Sequence, residues 1–210
     1  MSETDRVAAR SLFMNAQLSR RQFQHALVGC ALGAPLLSRA QNSKSSGDFW
    51  TLLRQGGNIL LMRHALTEPG TGDPPNFQLG VCSTQRNLSV AGREQAQRVA
   101  ADFQREGITV DEVRSSAWCR CVETAELAFG RHTVWAPINS FFQQGSRDRQ
   151  TRAALDALQQ HKAPRNLVLV THQVNISALT GDFTAMGEIL LTRPGPPAEA
   201  QLKVLARKTF

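Results

Sequence analysis

The sequence lacks any long apolar run, and no stretch reaches the roughly 18 to 20 residues that a membrane-spanning helix needs. We therefore expect no stable insertion into a membrane. It also lacks a run of Lys or Arg, and few aromatic residues are interleaved with its basic ones, so the formal net charge of +7 is scattered. Such a scattered excess gives no reason to expect a nucleic-acid partner and favours anionic substrates in general.

The first forty residues have the pattern of an export signal. Residues 19–23 form a twin-arginine pattern, residues 26–37 are moderately apolar, and residues 38–40 place small residues where a signal peptidase cleaves. We predict cleavage after Ala40, a linker over residues 41–47, and a single mature domain over residues 48–210 that is exported to the periplasm.

Alternatives to this interpretation of the N-terminus stay open. Met14 would begin a more typical signal of this kind than Met1, and Cys30 ends a short match to a lipoprotein cleavage box. If the signal does not function, the protein would remain in the cytoplasm.

Cysteine is scarce, and the spacings typical of metal sites are missing. There is no paired C-x-x-C or H-x-x-x-H spacing and no Gly-rich nucleotide-binding loop, so we expect no metal and no cofactor. The mature chain keeps Cys82, Cys119 and Cys121. Because that number is odd and Cys119 and Cys121 lie two apart on a predicted helix, we expect no disulfide framework.

Apolar runs of strand length alternate with amphipathic segments along the rest of the chain. The patterns predict strands at residues 58–62, 112–114, 133–136 and 166–170, helices at 48–54, 89–106, 117–129 and 147–160, and a closing hairpin over 188–192 and 201–206. In the second helix, Ser89 is the expected cap and Gln95 is expected on the solvent side. This order predicts an α/β fold, a three-layer α/β/α sandwich with a mostly parallel central sheet.

Three of the predicted strands are followed closely by basic residues. Arg63 and His64 follow the first strand, Arg120 lies just past the second, and His172 follows the strand at 166–170. Carboxyl ends of parallel strands meet at one edge of the sheet, where open α/β folds bind ligands. Two guanidinium groups, helix N-terminal amides and an imidazole that can attack phosphorus would form a metal-free phosphoryl-transfer site.

In their order and spacing these residues resemble the histidine phosphatase superfamily, also called the phosphoglycerate mutase-like family. The resemblance covers roughly residues 58–180 and is carried by Leu61-Met62-Arg63-His64-Ala65, residues 86–96, the turn from Ser115 to Arg120 with Glu123-Thr124-Ala125 behind it, and Val170-Thr171-His172. It implies a phosphoglycerate mutase-like fold and a metal-independent phosphomonoester hydrolase acting on a small phosphorylated substrate. His64 would be the nucleophile that forms a phosphohistidine, and Arg63, Arg120 and His172 would hold the phosphoryl oxygens.

The sequence departs from the family pattern at three places. Ala65 replaces the usual glycine, as in the small bacterial phosphohistidine phosphatases, and Gly70 stands where many members carry an asparagine. Many relatives also supply a glutamate as general acid after the strand that ends here at Ala136, whereas residues 137–142 of this chain contain no carboxylate. The resemblance therefore leaves the acid that protonates the leaving group unassigned.

Three carboxylates are candidates for this acid: Asp148, Glu68 and Asp73. We prefer Asp148, because its loop follows the strand that delivers the acid in relatives, although it could equally cap a helix or be a solvated charge. Alternatively, no acid is needed, as expected for a substrate with a good leaving group or a phosphoramidate bond.

Three functions thus remain open. They are a phosphomonoesterase, a phosphohistidine or phosphoramidate phosphatase favoured by Ala65 and the missing glutamate, and a non-catalytic phosphate-binding pseudophosphatase. A mutase is not expected, because the chain has no evident extra lid segment to exclude water. The sequence determines neither the natural substrate nor the oligomeric state.

Overall fold

The computed structural model describes residues 46–142, 146–196 and 200–210. The predicted export signal over residues 1–40, with its arginine pair, Cys30 and Ala40, lies outside the described residues. Helix α1 (Ser46–Arg54) includes the last two residues of the predicted linker. No helix in the described part of the chain is both long and apolar enough to cross a bilayer.

A six-stranded sheet forms the centre of the structure. Its strands are β1 (Ile59–Arg63), β2 (Glu112–Ser115), β3 (Thr133–Val134), β4 (Leu167–Thr171), β5 (Ile189–Pro194) and β6 (Leu202–Lys208). Their spatial order is β3-β2-β4-β1-β5-β6. The first four strands pair in parallel, and β5 and β6 pair antiparallel as the closing hairpin. The predicted mostly parallel sheet is confirmed.

Helices cover both faces of this sheet. Besides α1 they are α2 (Val90–Arg105), α3 (Cys119–Phe129), α4 (Arg147–Leu158) and α5 (Gln173–Thr180). Successive side chains of β1 point to opposite faces, as strand geometry requires. Leu60 and Met62 join one core cluster with α1, α2 and α3, whereas Ile59 and Leu61 join another with α4 and α5. The predicted three-layer α/β/α arrangement is therefore confirmed.

Helix α2 holds the chain segment that leaves β1. Ser89 caps the helix as predicted, and its Oγ accepts from the Gly92 amide at 3.1 Å. A Cβ atom on Gly92 would lie 1.8 Å from the Leu66 carbonyl oxygen, so the helix touches the backbone two residues after His64. The close contact requires a glycine at position 92.

The prediction that Gln95 faces solvent is wrong. Its side-chain oxygen accepts from the Leu66 amide at 3.0 Å, and its side-chain nitrogen donates to the carbonyl oxygens of Met186 and Phe210. Gln95 is buried because it satisfies backbone groups of three segments that have no other strand or helix partner there. A polar residue type alone does not reveal such a role.

The sequence predicts no disulfide framework, and the described structure nevertheless contains one disulfide. Cys82 and Cys119 are joined, with their Cα atoms 5.6 Å apart, while Cys121 is free and buried. Counting cysteines missed this pair because the long loop after β1 folds back onto the start of α3. The disulfide therefore fixes that loop next to Arg120.

Candidate active site

A cavity of about 310 Å³ lies where β1, β2 and β4 end, beneath the long loop that follows β1. This volume is at the lower end of the range usual for small-molecule sites. Basic residues and apolar rings both contribute to its lining, which consists of Arg63, His64, Gly70, Thr71, Gly72, Asp73, Phe77, Arg86, Trp118, Arg120, Ser140, Phe142, His172, Gln173, Val174 and Met186.

The structure brings four of the five predicted site residues together in this cavity: Arg63, His64, Arg120 and His172. It does not bring Asp148 there. Asp148 lies exposed in the first turn of α4 and is not part of the lining. The preferred candidate for the general acid is thus outside the site as the structure describes it.

The ring of His64 is held in one tautomer by the backbone. Its Nδ1 lies 2.9 Å from the Ala65 carbonyl oxygen, which can only accept, so Nδ1 carries the proton and Nε2 keeps its lone pair. The Ala65 amide donates to Thr124 Oγ1 at 3.0 Å, and that hydroxyl donates to the Arg120 carbonyl at 2.6 Å. Thr124 therefore couples the backbone that holds His64 to the helix that carries Arg120.

His64 is neutral at ordinary pH. Burial, followed by the positive charge of Arg120, lowers the pKa of His64 to about 3, with smaller contributions from Arg63 and Arg86. Only 3% of the residue is exposed. A neutral imidazole with a free Nε2 is the form that can act as a nucleophile.

His172 is the second buried imidazole, and its ring centroid lies 5.6 Å from that of His64. Its Nδ1 lies 3.4 Å from Arg120 Nη2, a group that can only donate. Nε2 therefore carries the proton and donates to Ser116 Oγ at 2.8 Å. Burial, with the charge of Arg120, lowers the pKa of His172 well below its ordinary value.

Asp73 and Arg120 form a buried ion pair at the cavity wall. Arg120 Nη1 lies 2.7 Å from Asp73 Oδ1, and both side chains are about 95% buried. The carboxylate also accepts from the Arg86 amide and from Trp118 Nε1. Burial alone would raise the pKa of Asp73, but these hydrogen bonds, led by the one from Arg120, bring it below its usual range. Asp73 is therefore ionised and unsuited to donate a proton.

Two guanidinium donors at the site have no partner within the described structure. Arg63 Nε and Arg120 Nε are both buried and make no hydrogen bond. Leaving a charged donor unpaired in a protein interior is costly. Arg63 and Arg120 nevertheless line the cavity together with Arg86, so their guanidinium groups give the cavity the chemistry of an anion-binding site.

Arg86 contributes to the cavity although the sequence analysis gave it no role. It donates Nε to the Gly72 carbonyl and Nη1 to Thr67 Oγ1 and the Gly70 carbonyl. Its position at the start of the family-like stretch 86–96 was the available signal. It stabilises the loop over the cavity and adds a third positive charge.

A free carboxylate is missing from the cavity in the described part of the chain. Asp73 is the lining carboxylate there, and it is engaged by three donors. The third candidate, Glu68, is exposed and lies outside the lining. Residues 143–145, next to the lining residue Phe142, are Gln-Gln-Gly and add no acid. Within the described ranges no cluster of His, Cys, Asp or Glu could hold a metal ion.

The fold and this geometry define an α/β protein with an anion site at the carboxyl ends of its parallel strands. The family described as Histidine phosphatase superfamily (branch 1) matches residues 59–140, which include Arg63, His64 and Arg120. This segment carries the sequence pattern of the histidine phosphatase superfamily. His172 lies beyond the matched segment but shares the cavity with the others.

Solved structures share the fold at low sequence identity. The protein histidine phosphatase SixA complexed with tungstate matches with a TM-score of 0.51 and 11% identity, over 72% of this chain and 96% of that one. A mycobacterial glucosyl-3-phosphoglycerate phosphatase matches with a TM-score of 0.52 and 16% identity, over 70% and 96%. No curated protein matches the sequence. At these identities the likeness shows the fold alone.

Because His64 is buried and neutral, we expect the free energy of unfolding to depend on pH. The variant His64→Asn should remove part of this dependence. Below a pH of roughly 6.5 the unfolded chain protonates His64 and the folded chain does not, so the unfolding free energy falls as pH falls. Lowering the pH from about 7.5 to about 5 should cost the wild type about 2 kcal/mol more than His64→Asn. Urea unfolding at both pH values measures this difference.

Proposed function

We propose that the protein is a phosphoric monoester hydrolase that acts through a phosphohistidine intermediate on His64 and uses neither metal nor cofactor. The observation that carries the proposal is the neutral His64, with Nε2 free, in the same cavity as the guanidinium groups of Arg63 and Arg120. The small cavity supports a small phosphorylated substrate.

The first chemical step transfers the phosphoryl group to His64. Phosphoryl oxygens bind the guanidinium groups of Arg63 and Arg120, and Nε2 of His64 attacks phosphorus in line with the leaving group. The bond from phosphorus to the leaving group breaks as the Nε2–P bond forms. The ring becomes positively charged, and the Ala65 carbonyl, which accepts from Nδ1, stabilises that charge.

The second step releases phosphate. Water attacks phosphorus, the Nε2–P bond breaks, and His64 returns to its neutral form. His172 can assist both steps only after it gains a proton on Nδ1, the atom that accepts from Arg120. The negative charge of a bound phosphoryl group favours that proton, because it offsets the nearby arginines.

Replacing the nucleophile tests the proposal directly. In the full-length chain, His64→Ala should lower kcat for 4-nitrophenyl phosphate by at least about 10³-fold, because no other described side chain presents a free imidazole lone pair to the cavity. Rapid quenching with ³²P-labelled substrate should trap an acid-labile, alkali-stable phosphoenzyme in the wild type and none in the variant.

Asp148→Asn is the matched control for this experiment. The residue is exposed and outside the cavity, so this variant should keep both turnover and phosphoenzyme. Unchanged activity in His64→Ala contradicts the mechanism. Phosphate binding without turnover in the wild type would instead establish a non-catalytic phosphate-binding protein.

The missing free carboxylate favours a second candidate, a phosphatase for phosphohistidine or another phosphoramidate. An alkoxide needs a proton as it leaves, and a positioned acid contributes about 10²- to 10⁴-fold to that step. A nitrogen leaving group can be protonated in solution before the P–N bond breaks. A site with no available acid is therefore better suited to phosphoramidates and aryl esters than to alkyl esters.

Leaving-group dependence distinguishes these substrate classes. The value of kcat/KM should be at least about 100-fold higher for phosphoramidate than for ethyl phosphate, because only the ester requires the missing acid. Steady-state phosphate release for both compounds at one pH measures the ratio. Equal rates would show that an acid is present, and selective loss of ethyl phosphate hydrolysis in Asp148→Asn would identify that acid as Asp148.

We also propose that residues 1–40 direct export to the periplasm. The twin-arginine pattern supports this, and so does the Cys82–Cys119 disulfide, because disulfides persist mainly in oxidising compartments. Protein recovered from the cell envelope should begin at Gln41, and replacing Arg20 and Arg21 by Lys should retain the precursor in the cytoplasm. N-terminal sequencing of both fractions checks this. An envelope protein that begins at Met1 or Met14 would contradict cleavage, and one that begins at Cys30 would indicate a lipoprotein.

A further inference from the structure

The cavity has an apolar side that the proposed chemistry does not use. Phe77, Trp118 and Phe142, here called the aromatic wall, come from three separate segments of the chain and line the same cavity as His64. The rings of Phe77 and Trp118 are 5.8 Å apart and tilted by 35°, and Trp118 packs edge-on against His172 at 5.3 Å. The wall therefore continues directly from the phosphoryl-binding groups.

Phe142 is the exposed member of this wall. It is 58% exposed, and within the described residues its ring stacks on no other aromatic ring. Trp118, in contrast, is 5% exposed. A large apolar side chain left in water at the mouth of a cavity gains free energy when a ligand covers it.

Polar side chains next to the wall are already engaged within the protein. The amide of Gln173 accepts from Thr184 and donates to Ser177, and the hydroxyl of Ser140 accepts from the Phe142 amide. Among the described uncharged lining side chains, the hydroxyls of Thr71 and Ser140 are then the polar groups left for a sugar or a similar polar leaving group. The surroundings favour an apolar one.

We infer that the leaving group of the natural substrate carries a flat aromatic ring that packs against the aromatic wall while the phosphoryl group lies at His64. This inference rests on the proposed function only in placing the phosphoryl group at the charged end of the cavity. An aryl phosphate and an N-phosphorylated imidazole share this chemistry. Both also leave without a positioned carboxylic acid, in agreement with the cavity lining.

Binding to the inactive variant His64→Ala tests the inference without requiring turnover. Benzyl phosphate and cyclohexylmethyl phosphate have the same charge and carbon skeleton, and they differ in whether the ring is flat. Isothermal titration calorimetry should give a Kd about tenfold lower for benzyl phosphate, the gain expected from stacking on two aromatic side chains. Equal Kd values would overturn the inference and leave the proposed function intact.

Two further variants test whether the preference for benzyl phosphate comes from the aromatic wall. Adding Phe142→Leu, which keeps an apolar side chain but removes the ring, should reduce the ratio of the two Kd values to less than about threefold. Phe183→Leu is the matched control, because Phe183 is 76% exposed and lies outside the cavity lining. A ratio that is unchanged by Phe142→Leu, or reduced equally by Phe183→Leu, overturns the assignment.

Turnover by the wild type distinguishes an aryl phosphate from an N-phosphorylated imidazole as the natural kind of substrate. Faster hydrolysis of phenyl phosphate than of N-phosphoimidazole supports the inference with an oxygen ester as substrate, and the reverse supports it with a P–N bond. Cyclohexyl phosphate hydrolysed as fast as both would overturn it. Absence of all turnover, with the benzyl preference retained in binding, would refute the proposed function and not the ring site.

Discussion

Arg120 and Asp73 form the buried ion pair around which the site is built. The pair joins the long loop after β1 to the first turn of α3, and the same carboxylate orients Trp118 and accepts from the Arg86 amide. Removing one partner of a buried pair leaves an uncompensated charge. The loop and the helix therefore stay packed together only while both Asp73 and Arg120 are present. The carboxylate also offsets one of three arginine charges in the cavity, leaving an excess of two. That excess matches the charge of a phosphoryl dianion.

The charges that attract an anion also act on the two buried imidazoles. Burial and, after it, the charges of the surrounding arginines lower the pKa of both His64 and His172, so both imidazoles are neutral. The negative charge of a bound phosphoryl group offsets the positive potential of these arginines. In the proposed mechanism His64 is thus in its reactive state before substrate arrives, and the proton that His172 needs becomes favourable only once the anion is present.

Sequence patterns predicted those parts of the molecule that depend on local periodicity. They also predicted those that depend on ligand binding at the carboxyl ends of parallel strands. The apolar run before His64 and the one before His172 gave two neighbouring parallel strands, and Ser89 gave the start of α2. The contacts of Asp73 with Arg120 and of Cys82 with Cys119 depend on the path of a long loop that has no apolar period. Gln95 was misplaced because a side chain that satisfies distant backbone groups looks like a surface residue in sequence.

The Cys82–Cys119 disulfide is a second covalent connection between the two halves of the site, in addition to the peptide chain. His64 and Asp73 precede the bridged segment, whereas Arg120 and His172 follow Cys119. A protease cut anywhere between the two cysteines would therefore leave the halves attached to each other through sulfur. Under reducing conditions the same cut would leave His64 and the later residues Arg120 and His172 on two fragments that are joined only by non-covalent contacts, among them the pairing of β1 with β4 and β5.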